Sequence, residues 1–217
     1  MADWTTISSL ATGFGTLVLA TATFASVRSA NRAARTAERS LLAGIRPLVV
    51  TTRFDDPQQK VGFMDDRWFH LRGSGAAADV TDNNVYLAMS LRNVGTGIAV
   101  LDRWDLYPER LFGDSSPREI EHFRRLTRDI YIAPGDIGFW QGALREADAH
   151  RPEEVELHDA IAEAVKNRTP MTIDLLYGDY EGGQHTISRF AITPRGDTDE
   201  WMATGARHWN LDRADPR

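Results

Sequence analysis

Few residues in this chain have the types and spacing that chemistry requires, and Asp179 with His185 is the most suggestive pair. The two flank a Gly182-Gly183 turn, and a carboxylate next to an imidazole can act as an acid–base couple. A turn residue followed by a strand residue gives the same pattern without any catalytic role. Neither a Gly-x-Ser-x-Gly nucleophile motif nor a phosphate-binding glycine loop is present. We therefore expect no catalytic residue and no enzyme activity.

Metal and cofactor sites have little support in the sequence. The chain has no cysteine, and its six histidines lack the spacing of a helical zinc motif. Acidic residues at Asp55-Asp56, Asp65-Asp66 and Asp79 with Asp82 offer oxygen ligands for calcium, but none has the spacing of a calcium-binding loop. Acidic loops of this kind are usually solvated. We expect no bound metal and no cofactor.

Composition limits the classes of partner. The chain has 217 residues and a formal net charge of −6. Residues 47–217 carry 20 basic and 29 acidic side chains, so this part lacks the positive surface of a nucleic-acid-binding domain. It is long enough for one domain with a buried core. The absence of cysteine suits a reducing compartment.

The most informative element is an uncharged N-terminal stretch. Trp4–Val27 is 24 residues without a charged side chain, which is the length of a membrane-spanning helix. The mean hydropathy of residues 10–27 is marginal, roughly 1.5, and the stretch contains nine Thr or Ser residues. Such hydroxyls can bond to carbonyls of the preceding helical turn. The sequence predicts a single membrane span, and the alternative is a buried helix in a soluble helical-bundle oligomer.

A stripe of arginines follows this stretch and sets the expected orientation. Four of them recur every three or four residues: Arg28, Arg32, Arg35 and Arg39. They lie on one side of a continued helix that ends near Gly44. Because positive residues flank membrane spans on the cytoplasmic side, we expect the N-terminus outside the cell and the C-terminal domain in the cytoplasm. The stripe is compatible with binding to anionic headgroups of the lipid bilayer and with an ordinary solvated flank.

Small residues form a second pattern within the predicted span. They recur at spacings of four and three, on one helix face: Ser9, Gly13, Thr16, Ala20 and Thr23. A face of small residues lets a second helix approach closely. The pattern is compatible with a homo-oligomer formed through the transmembrane helix, and also with a span that merely contains many small residues.

The rest of the chain is predicted to be mainly β. Period-two alternation predicts seven strands, at residues 46–54, 84–92, 98–107, 129–132, 137–142, 171–177 and 185–192. One helix is predicted at Pro152–Lys166, since Pro suits the first helical position and acidic residues the first turn. We expect a two-sheet, immunoglobulin-like sandwich with one inserted helix, preceded by a long N-terminal transmembrane and stalk helix. An open α+β sheet is the alternative.

The expected domain boundaries follow from these elements. Residues 1–45 are assigned to the transmembrane helix and its basic stalk, 46–195 to the β-sandwich and 196–217 to a C-terminal tail. Residues 55–81 are expected to be irregular, and residues 117–128 are compatible with either helix or strand. In the tail, Trp201 and Trp209 would either dock on the domain or contact a partner.

Two short motifs carry a resemblance to a known group of proteins. They are Leu91–Ala99 (LRNVGTGIA) and Tyr177–His185 (YGDYEGGQH). Together with the Arg46-Pro47 junction, they resemble uncharacterised bacterial single-pass membrane proteins that carry an immunoglobulin-like cytosolic β-sandwich. The resemblance implies architecture only, so no functional residue is transferred from it.

Three functions are compatible with these patterns. The leading hypothesis is a membrane-tethered cytosolic interaction or scaffold module with an unknown protein partner, which would be contacted by sheet edges and aromatic loops. The second is a ligand-sensing or enzymatic domain with a cleft formed by loops 55–81 and 108–128. The third is the soluble helical-bundle oligomer built by residues 4–44.

Overall fold

The computed structural model of this chain describes residues 3–111, 116–196 and 198–213. The described residues divide into two compact units, which meet in the sequence between Gly44 and Ile45. The first unit is a single helix, and the second contains all the described strands. The expectation of a mainly β domain preceded by a long N-terminal helix is confirmed.

The first unit is one uninterrupted helix, α1 (Trp4–Gly44), of 41 residues. At 1.5 Å per residue it is about 60 Å long. Threonine hydroxyls bond to the preceding turn: Thr16 donates to the carbonyl oxygen of Thr12 at 2.9 Å, and Thr23 to that of Leu19 at 2.8 Å. Among the described residues, no helix combines the length and the apolarity needed to cross a membrane.

The second unit is built from antiparallel strands. In chain order they are β1 (Val49–Thr51), β2 (Gln59–Gly62), β3 (Trp68–Leu71), β4 (Gly75–Thr81), β5 (Asn84–Asn93), β6 (Ala99–Tyr107), β7 (Arg124–Ile132), β8 (Ile137–Leu144), β9 (Met171–Asp179), β10 (His185–Pro194) and β11 (Trp201–Asn210). A helix, α2 (Pro152–Lys166), lies between β8 and β9. Short 3₁₀ turns lie at Ile120–His122 and Glu146–Asp148.

Nine of the described strands form one antiparallel sheet. Its order is β1-β5-β4-β11-β10-β9-β6-β7, and β8 pairs with β5. The strands β2 and β3 form a separate two-stranded sheet. The large sheet curls, so that β7 contacts β8 and the inner faces surround one core. The strands thus lie in one curled sheet with a small second sheet, where we expected two sheets of a sandwich.

Alternation along the strands determines which side chains enter this core. Four side chains of β5 are fully buried in it, as their period-two spacing predicts: Val85, Leu87, Met89 and Leu91. Trp104 on β6 and Trp140 on β8 pack edge to face in the same core, with ring centres 5.3 Å apart. The burial of large apolar side chains is the main stabilising contribution to this fold.

Two smaller clusters cover the outer faces of the sheet. The β2–β3 hairpin lies over part of β5, where the rings of Phe63 and Tyr86 pack edge to face at 5.1 Å between centres. Phe123, just after the first 3₁₀ turn, packs on Leu176 and Ile187 of β9 and β10. The segment before β7 is therefore part of the outer layer of the domain.

Several predicted segments differ from the observed elements. Residues 55–81, expected to be irregular, contain β2, β3 and β4, and residues 196–217, expected to be a tail, contain β11. Both were missed because β4 begins with glycine and three alanines and β11 contains Gly205, and neither residue type favours strands. Residues 117–128 form a 3₁₀ turn followed by the start of β7. Residues 112–115, 197 and 214–217 lie outside the described residues.

The helix α2 begins and ends where the sequence predicts. Its Glu154 accepts hydrogen bonds from the Arg151 side chain at 2.8 Å and from the backbone N–H groups of Arg151 and His150, both at 3.1 Å. These bonds, led by that of the Arg151 guanidinium, lower the pKa of Glu154 to about 2. The apolar face, with Ile161 and Val165, joins the main core beside β4 and β5.

Candidate functional site

A groove runs beside β4 because two neighbouring strands differ in length. On one side, β4 pairs with β5 from Ala76 to Thr81. On the other side, it pairs with β11 only at Gly75 and Ala76, next to a hydrogen bond of 3.0 Å from the Ala203 N–H to the Ser74 carbonyl oxygen. Beyond Ala76, no described strand lies along this second edge of β4.

The hairpin between β10 and β11 explains why β11 does not run along the whole of β4. Its last strand pair is Pro194 with Trp201. The turn between them is closed by a hydrogen bond of 2.9 Å from the Arg195 N–H to the Glu200 carbonyl oxygen. The strand β4 therefore extends five residues past its neighbour, from Ala77 to Thr81.

Strand geometry identifies the backbone groups that face the groove. In an antiparallel strand, the N–H and C=O groups of alternate residues point to the same edge. Because Ser74 and Ala76 face β11, Ala78 and Val80 face the same edge, beyond the first residue of β11. Among the described residues, no hydrogen-bond partner is recorded for the N–H and C=O groups of Ala78 and Val80.

The turn between β4 and β5 gives the same assignment independently. Asp82 and Asn83 both have positive φ, 50° and 58°, as in a two-residue type I′ turn. In such a hairpin the flanking residues, Thr81 and Asn84, exchange hydrogen bonds with each other. Counting back in steps of two assigns Ala77 to the β5 side, and Ala78 consequently to the groove.

The groove has walls of mixed apolar and charged side chains and the size of a ligand-binding site. Its volume is about 640 Å³, within the range of roughly 300–1,000 Å³ that holds ligands in proteins. Val80 lies on the side of the free edge, and Val165 and Lys166 come from the last turn of α2. Trp201 also lines the groove, with the Arg168 guanidinium 5.4 Å from the centre of its ring.

Ion pairs form part of this lining. Arg67 pairs with Asp79 of β4. The carboxylate of Glu200 is shared by Arg72 and Arg195, each with an N···O distance of 3.1 Å. The Glu200 pairs are exposed, and solvent-exposed pairs contribute about 0–1 kcal/mol to stability. These groups therefore determine the charge around the groove more than they stabilise the fold.

Basic side chains outnumber acidic ones along the groove. The five basic residues that line it are Arg67, Arg72, Lys166, Arg168 and Arg195. The three acidic residues are Asp79, Asp199 and Glu200. Lys166 is exposed, and no ion pair forms on it within the described part of the chain. The groove thus has an excess of positive charge, and Lys166 is its most available cation.

The cleft expected from loops 55–81 and 108–128 is present only in a reduced form. The groove beside β4 is lined by the first of these segments and not by the described residues of the second. The two segments meet elsewhere, where Phe63 and Met64 face residues 124–127 across a hollow of about 200 Å³. The larger site is therefore formed by the first segment with α2 and β11.

The site residues predicted in the N-terminal segment all lie on α1. Arg28, Arg32 and Arg35 are exposed, and Arg39 belongs to the same helix. The five small residues are also exposed on this helix: Ser9, Gly13, Thr16, Ala20 and Thr23. Headgroup binding and self-association stay predictions.

The Asp179 and His185 side chains do not pair with each other. The Asp179 carboxylate accepts a hydrogen bond of 3.2 Å from the Gln184 N–H and closes the β9–β10 turn. His185 is exposed at the start of β10 opposite Gly178. This arrangement corresponds to a turn residue followed by a strand residue.

The acidic pairs considered as calcium ligands are mostly engaged by arginines. Asp56 bonds to Arg92 at 2.7 Å, and Asp65 bonds to the Tyr86 hydroxyl and to Arg145. Hydrogen bonds, led by that of Tyr86, lower the pKa of the Asp65 carboxyl. Among the described residues, no group of three or more His, Asp or Glu side chains is placed to hold a metal ion.

Comparison with known proteins gives no family assignment. No protein-family model matches this chain, and no curated protein is significantly similar to it. The functional reading therefore rests on the geometry of the chain itself.

Sequence reasoning did not identify the groove residues Ala78, Val80 and Lys166. The available signal was the Asp82-Asn83 dipeptide just before the alternating residues of β5, because Asp and Asn tolerate the positive φ that a type I′ turn requires. That signal predicts the β4–β5 hairpin. It does not predict the unpaired edge, because the edge depends on where β11 begins beside β4.

Proposed function

We propose that residues 45–217 form a binding module that takes up an extended segment of another protein along the free edge of β4. The observation that carries this proposal is the pair of outward-facing backbone positions, Ala78 and Val80, beside a groove of ligand-binding size. A peptide in extended conformation can hydrogen-bond to such an edge and add a strand to the sheet. Main-chain bonds would supply affinity, and the groove walls would supply specificity.

The proposal concerns binding and not catalysis. The polar side chains of the groove meet as arginine–carboxylate pairs, such as Arg67 with Asp79 and Arg72 with Glu200. Charged pairs of this kind are suited to recognition of a charged ligand. The module is therefore an interaction or scaffold domain, with a protein as its ligand.

Selection of peptides from a random library displayed on phage tests this function. The full chain is the bait, and Ala78→Pro is the comparison, because proline removes the N–H that faces the groove. Peptides selected by the natural chain should lose binding to the variant. They should also lose binding when alternate backbone nitrogens are N-methylated and keep it when the intervening ones are. Peptides that bind the variant equally well would refute strand addition.

We further propose that α1 tethers this module to the cell membrane, with the N-terminus outside and the β domain in the cytoplasm. Apolar side chains are exposed on every side of the helix, at Phe14, Leu17, Val18, Leu19, Phe24 and Val27. Apolar side chains spread around a helix suit lipid, whereas a helix in a soluble bundle has one apolar stripe. The Thr and Ser residues between them can bond within the helix, as Thr16 and Thr23 do. The arginine stripe after Val27 supports the orientation. The same proposal includes the resemblance of this chain to bacterial single-pass membrane proteins that carry an immunoglobulin-like cytosolic domain.

Cell fractionation distinguishes the membrane tether from the alternative, a soluble helical-bundle oligomer. The full chain should stay in the membrane pellet after washing with alkaline carbonate, and protease added to sealed inside-out vesicles should digest the β domain. A monodisperse oligomer in the supernatant would instead establish the soluble helical bundle, because exposed apolar side chains of α1 would then be covered by other copies.

A further inference from the structure

We infer that the segment taken up along β4 is acidic, which names the chemistry of the ligand and rests on the proposed strand addition. The groove carries two more basic than acidic side chains. The surrounding domain has the opposite balance, since residues 47–217 carry 20 basic and 29 acidic groups. A groove with excess positive charge favours acidic segments over neutral or basic ones.

The basic side chains keep donors available for a ligand. Glu200 is the shared partner of Arg72 and Arg195, so one carboxylate serves two guanidinium groups. Each guanidinium has five N–H donors, and a single carboxylate oxygen uses few of them. Carboxylates on a bound segment would find unused donors on both arginines without breaking the existing pairs.

Lys166 is the cation that an acidic ligand would engage most directly. It lies in the last turn of α2 and lines the groove together with Val80, one of the two free backbone positions. Its ammonium group is exposed and forms no ion pair with the described residues. A carboxylate of a strand added at Val80 would thus approach a charge that has no competing partner.

The charge of the groove also argues against a second copy of this chain as the occupant. Two copies that pair through β4 would bring two positive grooves together, and like charges at an interface oppose association. An acidic segment from a different protein has no such penalty. The occupant is therefore an extended, acidic stretch of a partner protein.

Three synthetic peptides of eight residues test this inference. They share a framework of Val and Thr and carry three Glu, three Gln or three Lys residues at the same positions. Binding to the full chain is measured by fluorescence anisotropy at low and at physiological salt. We expect the Glu peptide to bind about three- to tenfold more tightly than the Gln peptide and the Lys peptide most weakly, with the difference shrinking as salt rises.

The two lysines of the chain provide a matched pair of variants. Lys166→Glu should weaken binding of the Glu peptide about three- to tenfold and should strengthen binding of the Lys peptide. Lys60→Glu makes the same charge change away from the groove, where Lys60 lies over the Trp68 ring at 4.3 Å. It should leave the preference of the groove unchanged. Lys166→Met checks that effects at Lys166 arise from charge.

The outcomes distinguish a failure of the acidic preference from a failure of strand addition itself. If all three peptides bind with equal affinity, keep that affinity for Lys166→Glu and fail to bind Ala78→Pro, the acidic preference is wrong and strand addition stands. If none of them binds, or if they bind Ala78→Pro as well as the natural chain, strand addition is refuted and the inference with it. Tighter binding of the Lys peptide would reverse the predicted sign and overturn the inference alone.

Discussion

At the scale of single residues, Asn93 shows what the LRNVGTGIA motif does. Its side chain is fully buried. The carboxamide oxygen accepts hydrogen bonds from the N–H groups of Leu48 and Gly95, and the amide nitrogen donates to the carbonyl oxygens of Gly97 and Ile132 at 2.7 and 2.9 Å. One residue therefore joins the first residues of the domain to the turn after β5 and to the end of β7. The motif on which the resemblance rests is structural.

Gly97 in the same motif is required by a close approach of the backbone. A Cβ atom added at this position would lie 1.7 Å from the carbonyl oxygen of Ile45. No side chain can be accommodated without moving the start of the domain. The glycines of this motif consequently reflect packing of one chain segment on another, and they carry no information about a ligand.

A buried ion pair is the other residue-scale feature that determines stability. Arg189 donates to both carboxylate oxygens of Asp174, at 2.7 and 2.6 Å, and both side chains are almost completely shielded from solvent. Burial raises the pKa of Asp174, and the hydrogen bonds from Arg189 act in the opposite direction. The pair is stable only while both members are present, since either charge alone would be buried without compensation.

We predict that Arg189→Met lowers the free energy of unfolding by about 3–5 kcal/mol, because it leaves the Asp174 carboxylate buried and unpaired. The double variant with Asp174→Leu should recover most of this loss. Urea unfolding followed by tryptophan fluorescence measures both. Arg195→Met, which removes an exposed partner of Glu200, should cost less than about 1 kcal/mol. A single variant as stable as this control would contradict the prediction.

At the scale of secondary structure, the two edges of β4 differ, and proline can distinguish them. Proline removes a backbone N–H, which matters only where that N–H is bonded. The N–H of Ala77 faces β5, and that of Ala78 faces the groove. Two adjacent alanines therefore offer the same substitution with opposite consequences.

We predict that Ala77→Pro destabilises the domain by about 1–3 kcal/mol, because a ladder hydrogen bond to β5 is lost. Ala78→Pro should cost clearly less, since edge strands accept proline where the N–H faces solvent. Thermal unfolding of the two variants side by side is the measurement. Equal destabilisation would mean that the edge assignment of β4 is wrong.

The start of α2 provides a prediction for the pH dependence of stability. The pKa of Glu154 is lowered from its usual 4.5 to about 2 in the folded chain, chiefly by the Arg151 guanidinium. A carboxyl with a lowered folded pKa stabilises the fold above its unfolded pKa, and this contribution disappears as pH falls toward the folded value. The stabilisation is therefore complete above about pH 4.5 and is lost between there and about pH 2.

Glu154→Gln should therefore be less stable than the natural chain near neutral pH, and the difference should shrink progressively as the pH falls below about 4.5. Urea unfolding at a series of pH values reports it. Glu156→Gln, at an exposed position in the same helix, serves as the control and should show no such convergence. A difference that grows on acidification would have the wrong sign.

These elements also show what the sequence could and could not predict. The helix α2 was predicted at both ends because proline, acidic residues and the last-turn lysine are local signals. The strand β5 was predicted because its apolar residues alternate. By contrast, β4 was missed, since Gly75 and the following alanines lack strand character, and the groove was missed with it. Its open edge is set by the first residue of β11, Trp201, more than 100 residues later in the chain.

At the scale of the whole molecule, the β domain contains its complete core within residues 45–217. Its first residues contribute through Arg46, whose guanidinium donates to the Asn210 carboxamide oxygen at 2.9 Å and to Asp212 at 3.1 Å. The Arg46 carbonyl oxygen accepts from the Thr96 N–H at 3.1 Å. The start of the domain is thus tied to its last strand.

We predict that a chain beginning at Ile45 unfolds at the same temperature as the β domain of the full chain. A chain beginning at Leu48 should lose about 1–3 kcal/mol, because Asp212 and Asn210 lose their partner. Calorimetry of the three chains in one detergent buffer is the measurement. A large loss already on removal of residues 1–44 would show that α1 contributes to folding of the domain.

The six-residue connection between β10 and β11 has a consequence for related chains and for engineering. Two or three added residue pairs at the tip of this hairpin would extend β11 at its start, so that it lies beside Ala78 and Val80. The free edge of β4 would then be paired within the same chain. In such a chain, β4 could not pair with a segment of another protein, while the other contacts of the fold would be kept. Among related chains, the length of this hairpin alone would then determine whether β4 can take up an added strand.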